Sequence, residues 1–303
     1  MPINKTQSWL KHNDAKVVRT QALRLGLQNI TPCWTGCSPL EPDTNIIKIL
    51  NLCFLTLQKK NKVLQMQNIK TYVIHVRGNK ERENYIRNEL KKFNIDFEFI
   101  LNGNMDDMTN EDLNKYFKDD FKIISPRSSC TIKHFFVYER MVENNIPCAL
   151  VFEDDIELFS DFQTVFDQSL NEIKKEKLES CVISYESSTQ EFISSSEELP
   201  GKVIYQKPHG RCAGAYLIDL TAAKKILDYG IKNKSNVCMD WFHNEIANKD
   251  LIKIYWCHPT IAEQQSHNGK IQSLLDEKKQ GKYFRFKYFI QKVYKQKILS
   301  RFR

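Results

Sequence analysis

From Lys70 onward, short apolar strands alternate with amphipathic helices, and this alternation limits the fold more than any other feature of the sequence. The predicted strands are rich in β-branched and aromatic residues and cover 71–76, 97–101, 148–152, 181–184, 215–218 and 251–256. Helices are predicted at 79–93, after Thr109, and at 129–145, 221–230 and 240–248. The pattern is typical of an α/β fold with a mostly parallel sheet and helices on both faces.

The net charge divides the chain into three parts. The 303 residues carry a charge of +8, of which residues 1–65 contribute +6, residues 66–275 contribute −6 and residues 276–303 contribute +8. We predict that residues 66–275 form one α/β domain, that folding begins near Met66, and that residues 1–65 are an extension of unknown role. An acidic body is not the footprint of a nucleic-acid binder, so we expect no DNA partner.

Cysteine usage and hydropathy indicate the compartment. The nine cysteines are odd in number and scattered, and the close pair Cys33 and Cys37 has no second pair at zinc-binding spacing. Reduced thiols in the cytoplasm are therefore expected. No run of 18 apolar residues occurs, so no transmembrane helix is predicted.

Three carboxylates, Glu153-Asp154-Asp155, directly follow the predicted strand at 148–152. Carboxylates at the end of a buried strand are costly without a partner, and ligands bind at the carboxyl edge of open α/β sheets. Clustered oxygen ligands favour Mg²⁺ or Mn²⁺. Taken alone, the triplet is equally compatible with a solvated acidic turn.

Around this triplet the sequence resembles the family-25 glycosyltransferases, which include bacterial lipooligosaccharide galactosyltransferases. The similar segments occur in order between Lys70 and Ser273: TYVIHVRGNKERENYIRNEL, CTIKHFFVYERMVENNIPCALVFEDDIEL, GRCAGAYLIDLTAAKKIL, CMDWF and HPTIAEQQSHNGKIQS. The resemblance implies a GT-A-like fold, a UDP-sugar donor and a metal held by a DxD-type signature, here Glu153-Asp154-Asp155. Lys133 departs from the pattern, since the family more often has serine before the histidine that is His134 here. Residues 1–65 match nothing in the family.

Several residues are candidates for binding the nucleotide sugar. Arg77 and Arg82 follow the first strand, where a guanidinium group is suited to clamp a diphosphate. Gly210 and Gly214 would let the backbone approach the donor sugar closely, although a tight turn explains them equally well. The residues after the last predicted strand are placed to close over the diphosphate, with a polar loop as the alternative; they are Gln264, Gln265, Ser266 and His267.

The predicted reaction centre combines a metal with a base. Asp155 is the expected principal ligand of Mn²⁺ or Mg²⁺, with Asp154 and His267 as further ligands, while Glu153 and Asp154 are also expected to contact the nucleotide. Asp240, in the segment CMDWF, is predicted to be the catalytic base that deprotonates the acceptor hydroxyl. The alternative for Asp240 is a purely structural helix N-cap.

The last part of the chain, residues 276–303, interleaves aromatic residues with Lys and Arg. This composition suits an anionic membrane surface, with RNA binding and packing on the domain as alternatives. The resemblance and the tail together predict transfer of a hexose, with galactose from UDP-galactose expected first, by inversion to a lipid-linked lipooligosaccharide or lipopolysaccharide acceptor. The enzyme would lie on the inner face of the cytoplasmic membrane. The alternatives are another metal-dependent, nucleotide-using transferase, or a non-catalytic module that acts through the tail.

Overall fold

The computed structural model describes residues 69–274 and 282–301, and the predictions for residues 1–65 and for Met66 lie outside this part of the chain. The strands are β1 (Lys70–Ile74), β2 (Glu98–Ile100), β3 (Cys148–Glu153), β4 (Ile156–Leu158), β5 (Cys181–Ser184), β6 (Ile204–Lys207), β7 (Ala215–Asp219), β8 (Lys253–Cys257) and β9 (Ala262–Gln264). The helices are α1 (Lys80–Lys91), α2 (Asn110–Tyr116), α3 (Pro126–Glu143), α4 (Phe162–Glu176), α5 (Leu220–Asn233), α6 (Met239–Ala247), α7 (Gln265–Asn268) and α8 (Lys282–Val293).

A seven-stranded sheet has the order β2-β1-β3-β7-β5-β8-β6. The pairs β1–β2, β1–β3 and β5–β8 are parallel, whereas β7 is antiparallel to both of its neighbours and β6 is antiparallel to β8. Five of the seven strands therefore point the same way, which confirms the mostly parallel sheet. The strand β7 follows β6 without an intervening helix, so this pair interrupts the βα alternation.

Helix starts follow from local capping. The side chain of Asn79 accepts a hydrogen bond from the Arg82 amide, and Thr109 forms a capping box with Asp112, so both predicted caps are confirmed. The helix α3 begins at Pro126, three residues before the predicted start, because Ser125 caps it and proline fits the first turn. The helix α4 and the short strands β4, β6 and β9 were not predicted.

The core lies on both faces of the sheet. Along β1, Tyr72 packs into a cluster with residues of α3, α5 and α6, whereas the adjacent Val73 packs into a second cluster with residues of α1 and α4. Successive strand side chains point to opposite faces, so this division confirms that helices cover both sides. The carboxyl ends of β1 and β3 are thereby held as neighbours in a rigid sheet.

The helix α8 packs against the domain through one face. Tyr288 Oη donates a hydrogen bond to Glu263 Oε1 at 2.8 Å. Beyond the end of α8, in the short 3-10 helix Leu299–Arg301, the Ser300 carbonyl accepts from the Ser195 amide at 2.8 Å. On the opposite face, Tyr283 and Phe286 are 81% and 64% exposed. None of the helices in the two described ranges has the length and apolarity required to cross a bilayer.

Candidate active site

A cavity of about 1190 Å³ opens at the carboxyl ends of β1 and β3. This is the edge of the sheet at which open α/β folds bind ligands. The cavity is lined by side chains that follow strands and by side chains of the helices beside them, among them His75, Arg77, Arg82, Cys130, Lys133, Glu153, Asp154, Asp155, Cys238, Trp241, Gln264, Ser266 and His267. Its size exceeds that of a typical small-molecule pocket.

Asp154 is buried and both of its carboxylate oxygens have partners. His75 Nδ1 lies 2.7 Å from Oδ2, and Arg82 Nη1 donates to Oδ1 at 2.6 Å. Burial opposes ionisation of this carboxyl, but the hydrogen bond from His75 and the charge of Arg82 hold its pKa below the ordinary value. Because its oxygens are already engaged, Asp154 is better suited to ordering the site than to ligating a metal.

Asp155 is also buried, but one of its two carboxylate oxygens is available to bind a ligand. Its Oδ2 accepts from the Ser266 amide at 3.2 Å, and its backbone carbonyl accepts from the Gln265 amide at 2.9 Å. Its Oδ1 has no hydrogen-bond partner among the described residues. A buried carboxylate oxygen without a partner is costly, so this atom fits a cation ligand.

Glu153 ends β3 and faces the cavity with one-fifth of its side chain exposed. Gln264 Nε2 donates to its Oε2 at 3.0 Å, while His134 Nε2 lies 3.8 Å from its Oε1. Burial, followed by the neighbouring charges of Asp155 and Asp154, raises the pKa of Glu153 to about 8. A bound cation would reverse that effect by favouring the carboxylate.

A buried chain of polar groups runs away from Glu153. His134 Nδ1 lies 2.8 Å from Tyr216 Oη, which lies 2.7 Å from Tyr138 Oη, which in turn lies 2.7 Å from His243 Nε2. Burial lowers the pKa of both histidines to about 3, so both rings are neutral. His134 is not among the residues that line the cavity and is instead held behind Glu153 by this hydrogen-bond network.

Asp240 lies in the first turn of α6 and is not its N-cap, a position that Cys238 occupies. The alternative assignment of Asp240 as the N-cap of this helix is therefore wrong. Burial raises the pKa of Asp240, while the amides of Trp241 and Asp240 itself act in the opposite direction. Asp240 is not among the residues that line the cavity, although its neighbours Cys238 and Trp241 are. Its carboxylate interacts electrostatically with His134 and Glu153. Trp241, the next residue, is 66% exposed and lines the cavity.

The two candidate arginines differ in their surroundings. Arg82 is buried, and besides Asp154 its guanidinium donates to the Gln272 carbonyl at 2.7 Å. Arg77 is half exposed at the cavity and pairs with Asp106 and Asp107, at 3.2 and 3.1 Å. Because exposed pairs contribute little and break readily, Arg77 is the more available to an arriving diphosphate.

Lys133, the residue that departs from the family pattern, is buried in the cavity wall. Its Nζ donates to the His75 carbonyl at 2.6 Å and to Asn104 Oδ1 at 2.7 Å, and Asn104 Oδ1 also accepts from the Arg77 amide. Burial lowers the pKa of Lys133 to about 8. The roles of His75 and Asn104 were not predicted, because no motif marks a residue whose partner is distant in sequence.

The predicted glycine and glutamine contacts lie behind the cavity wall. The Gly210 amide donates to Asn244 Oδ1 at 2.6 Å, and the Gly214 amide donates to Glu186 Oε1 at 2.7 Å. A Cβ on Gly214 would lie 2.4 Å from the Gln264 side chain, so this glycine makes room for Gln264. Gln265 is not among the residues that line the cavity; its backbone amide donates to the Asp155 carbonyl. The adjacent Gln264, one of the residues predicted to close over the diphosphate, faces the cavity.

The predicted metal ligands are only partly brought together. Asp155 and His267 both line the cavity, but Asp154, Asp155 and His267 do not converge as a set within the described residues. In that part of the chain, the ligand atoms of Cys130, His134 and Glu153 lie within 4.8 Å of one another.

Comparisons with known proteins identify the family of this chain. The family model described as glycosyltransferase family 25 (LPS biosynthesis protein) matches residues 68–243, more than half of the chain. No curated protein sequence matches the chain. Among solved structures, apo UDP-glucose pyrophosphorylase is similar at 12% identity, over 65% of this chain and 76% of that one, with a TM-score of 0.32. A similarity this low carries no argument about function.

Proposed function

Because the chain belongs to glycosyltransferase family 25, we propose that it transfers a hexose from a UDP-sugar to a lipooligosaccharide or lipopolysaccharide acceptor. We propose galactose as the sugar and inversion as the stereochemical course. The observation that carries the proposal is the cavity of about 1190 Å³ at the carboxyl edge of the sheet, lined by Glu153, Asp154 and Asp155. A cavity of this size has room for a nucleotide sugar together with the end of an acceptor.

The proposed mechanism is a single displacement. Asp240 takes the proton from the acceptor hydroxyl, and its raised pKa suits a general base. Arg77 approaches the diphosphate from the open side of the cavity. A divalent cation, Mn²⁺ or Mg²⁺, would supply charge neutralisation for the departing UDP. Asp155 would hold this cation through Oδ1, with His267 and Glu153, which also line the cavity, as candidates for further ligands.

In this proposal, Asp154 and Arg82 position the other groups of the active site. Their buried pair ties the end of β3 to α1, so that Glu153 and Asp155 are presented on either side of a fixed residue. We propose that Gly214 and Gln265 act in the same indirect way, by positioning Gln264 and the backbone of Asp155. For Gly210, whose amide binds Asn244, no contact within residues 69–274 and 282–301 favours a direct role.

We also propose that the protein binds the inner face of the cytoplasmic membrane through α8. Tyr283, Phe286 and Phe289 are exposed on this helix, and Arg285 and Lys287 lie between them. Aromatic side chains with interspersed cations suit the interface of an anionic bilayer. A lipid-linked acceptor would then be reached without leaving the membrane surface.

The proposed function is tested by measuring UDP release with a panel of UDP-sugars and other nucleotide sugars, with Mn²⁺, with Mg²⁺ and with EDTA. Metal-dependent release from UDP-galactose, together with a glycosylated product, is the expected result. Release from a different donor would replace galactose by that sugar. Nucleotide turnover without a glycosylated product would instead favour another nucleotide-using transferase, for which the same carboxylates and arginines would serve.

A further inference from the structure

The inner face of α8 is attached to a buried carboxylate. Glu263, in β9, is 6% exposed, and its Oε1 accepts hydrogen bonds from Tyr288 Oη at 2.8 Å and from Lys292 Nζ. Its Oε2 accepts from Asn268 Nδ2 at 3.2 Å. Tyr288 and Lys292 are four residues apart, which places them on the same face of the helix. A buried carboxylate with these partners is a strong attachment point.

The residues that follow Glu263 form one wall of the active site. Gln264 Nε2 donates to Glu153, and the amides of Gln265 and Ser266 donate to Asp155. Glu263, which α8 holds, is therefore directly followed in sequence by the residues that hydrogen-bond to Glu153 and Asp155. His267, the residue after Ser266, also lines the cavity.

A second contact fixes the end of the same segment. Gly269 has a φ of 77° and ends α7 in the left-handed conformation that favours glycine. A Cβ on Gly269 would lie 3.0 Å from Phe284 and 3.1 Å from Arg285, so α8 packs directly on this turn. In addition, Gln190 Nε2 donates to the Tyr288 carbonyl at 3.1 Å.

We propose that α8 is a positioning element of the active site: Tyr288 and Lys292 hold residues 263–269 in place through Glu263, and this segment orients Glu153 and Asp155. The proposal rests on the proposed glycosyl transfer for its kinetic consequence only. It differs from a tail that serves membrane binding alone. A helix that supports the site is required for transfer to a water-soluble acceptor as well, whereas a mere attachment segment is not.

The test uses the full chain with Tyr288→Phe and Lys292→Met combined. We expect the amides of Gln265 and Ser266 to exchange with deuterium at least 10-fold faster, because Glu263 loses two of its donors. We also expect kcat/KM with a water-soluble acceptor to fall at least 10-fold. Adding Glu263→Gln removes the uncompensated charge and should restore part of both losses.

The matched control is Tyr229→Phe with Lys232→Met, which removes a tyrosine–glutamate hydrogen bond and a lysine from α5, away from this segment. It should change neither exchange at residues 264–267 nor kcat/KM. Wild-type exchange in the α8 variant would overturn the proposal, and so would faster exchange with unchanged kcat/KM. If no nucleotide sugar is turned over by the wild type, the proposed function fails, while the exchange measurement still decides whether α8 holds the segment.

Discussion

We predict that the adjacent carboxylates Asp154 and Asp155 have different roles: Asp154 maintains the stability of the fold, and Asp155 maintains activity. Asp154 is 4% exposed and paired with His75 and Arg82, whereas Asp155 is 1% exposed and has one carboxylate oxygen without a partner among the described residues. Replacing each by asparagine keeps the shape and removes only the charge. The two variants are therefore matched controls for each other.

The magnitude follows from burial. Asp154→Asn leaves the buried Arg82 guanidinium without its carboxylate, and breaking a buried pair in this way costs about 3–5 kcal/mol. In a domain of this size, each kcal/mol lowers Tm by roughly 2–4 °C. Asp155→Asn still accepts from the Ser266 amide and relieves repulsion with Glu153, so its cost should stay near about 1 kcal/mol.

The assay compares urea denaturation at pH 7.5 with metal-dependent UDP release for both variants. Asp154→Asn should lose most of its stability margin but keep measurable transfer at low temperature. Asp155→Asn should unfold like the wild type and lose transfer and Mn²⁺ binding. Equal losses of stability in the two variants, or Mn²⁺-dependent transfer by Asp155→Asn at the wild-type rate, would refute the assignment.

Three further predictions concern the base, a buried lysine and the membrane face. Asp240→Asn should lower kcat by about 10²–10⁴-fold with little change in stability, measured at saturating donor; an unchanged kcat would exclude it as the base. Lys133 binds its proton less tightly in the folded state, with a pKa of about 8 against 10.5 for the free side chain, so the unfolded state holds more protons between these values. Between pH 8 and pH 10.5, the free energy of unfolding of the wild type should therefore rise with pH relative to that of Lys133→Met, by up to about 1.4 kcal/mol per pH unit. Urea denaturation at several pH values measures this difference, and the same pH dependence in both proteins would contradict the prediction. Phe286→Ser with Phe289→Ser should weaken sedimentation with anionic vesicles at least 10-fold, while Ile231→Ser, at a half-exposed apolar site on α5, should not.

The sequence predicted those helices and strands that are marked by local signals such as helix caps and apolar runs. Caps at Asn79 and Thr109 and the apolar runs of the central strands place helices and strands within a few residues of where they lie. The reversal of β7 was not foreseeable, because the side-chain period of a strand is the same in either direction. The helix α4 carried a readable signal, with Phe162, Val165, Phe166 and Ser169 at helical spacing.

The sequence by itself determined where the acidic triplet would lie, since a carboxylate run after a buried strand must emerge at the carboxyl edge of the sheet. Only the tertiary structure decided what each carboxylate does. Asp154 meets partners 79 and 72 residues away, in His75 and Arg82, whereas one carboxylate oxygen of Asp155 has no hydrogen-bond partner in the described part of the chain. Likewise, Glu263 meets Lys292 only because α8 returns to the domain. Composition records which charges a chain carries, but their roles depend on which charges folding buries together.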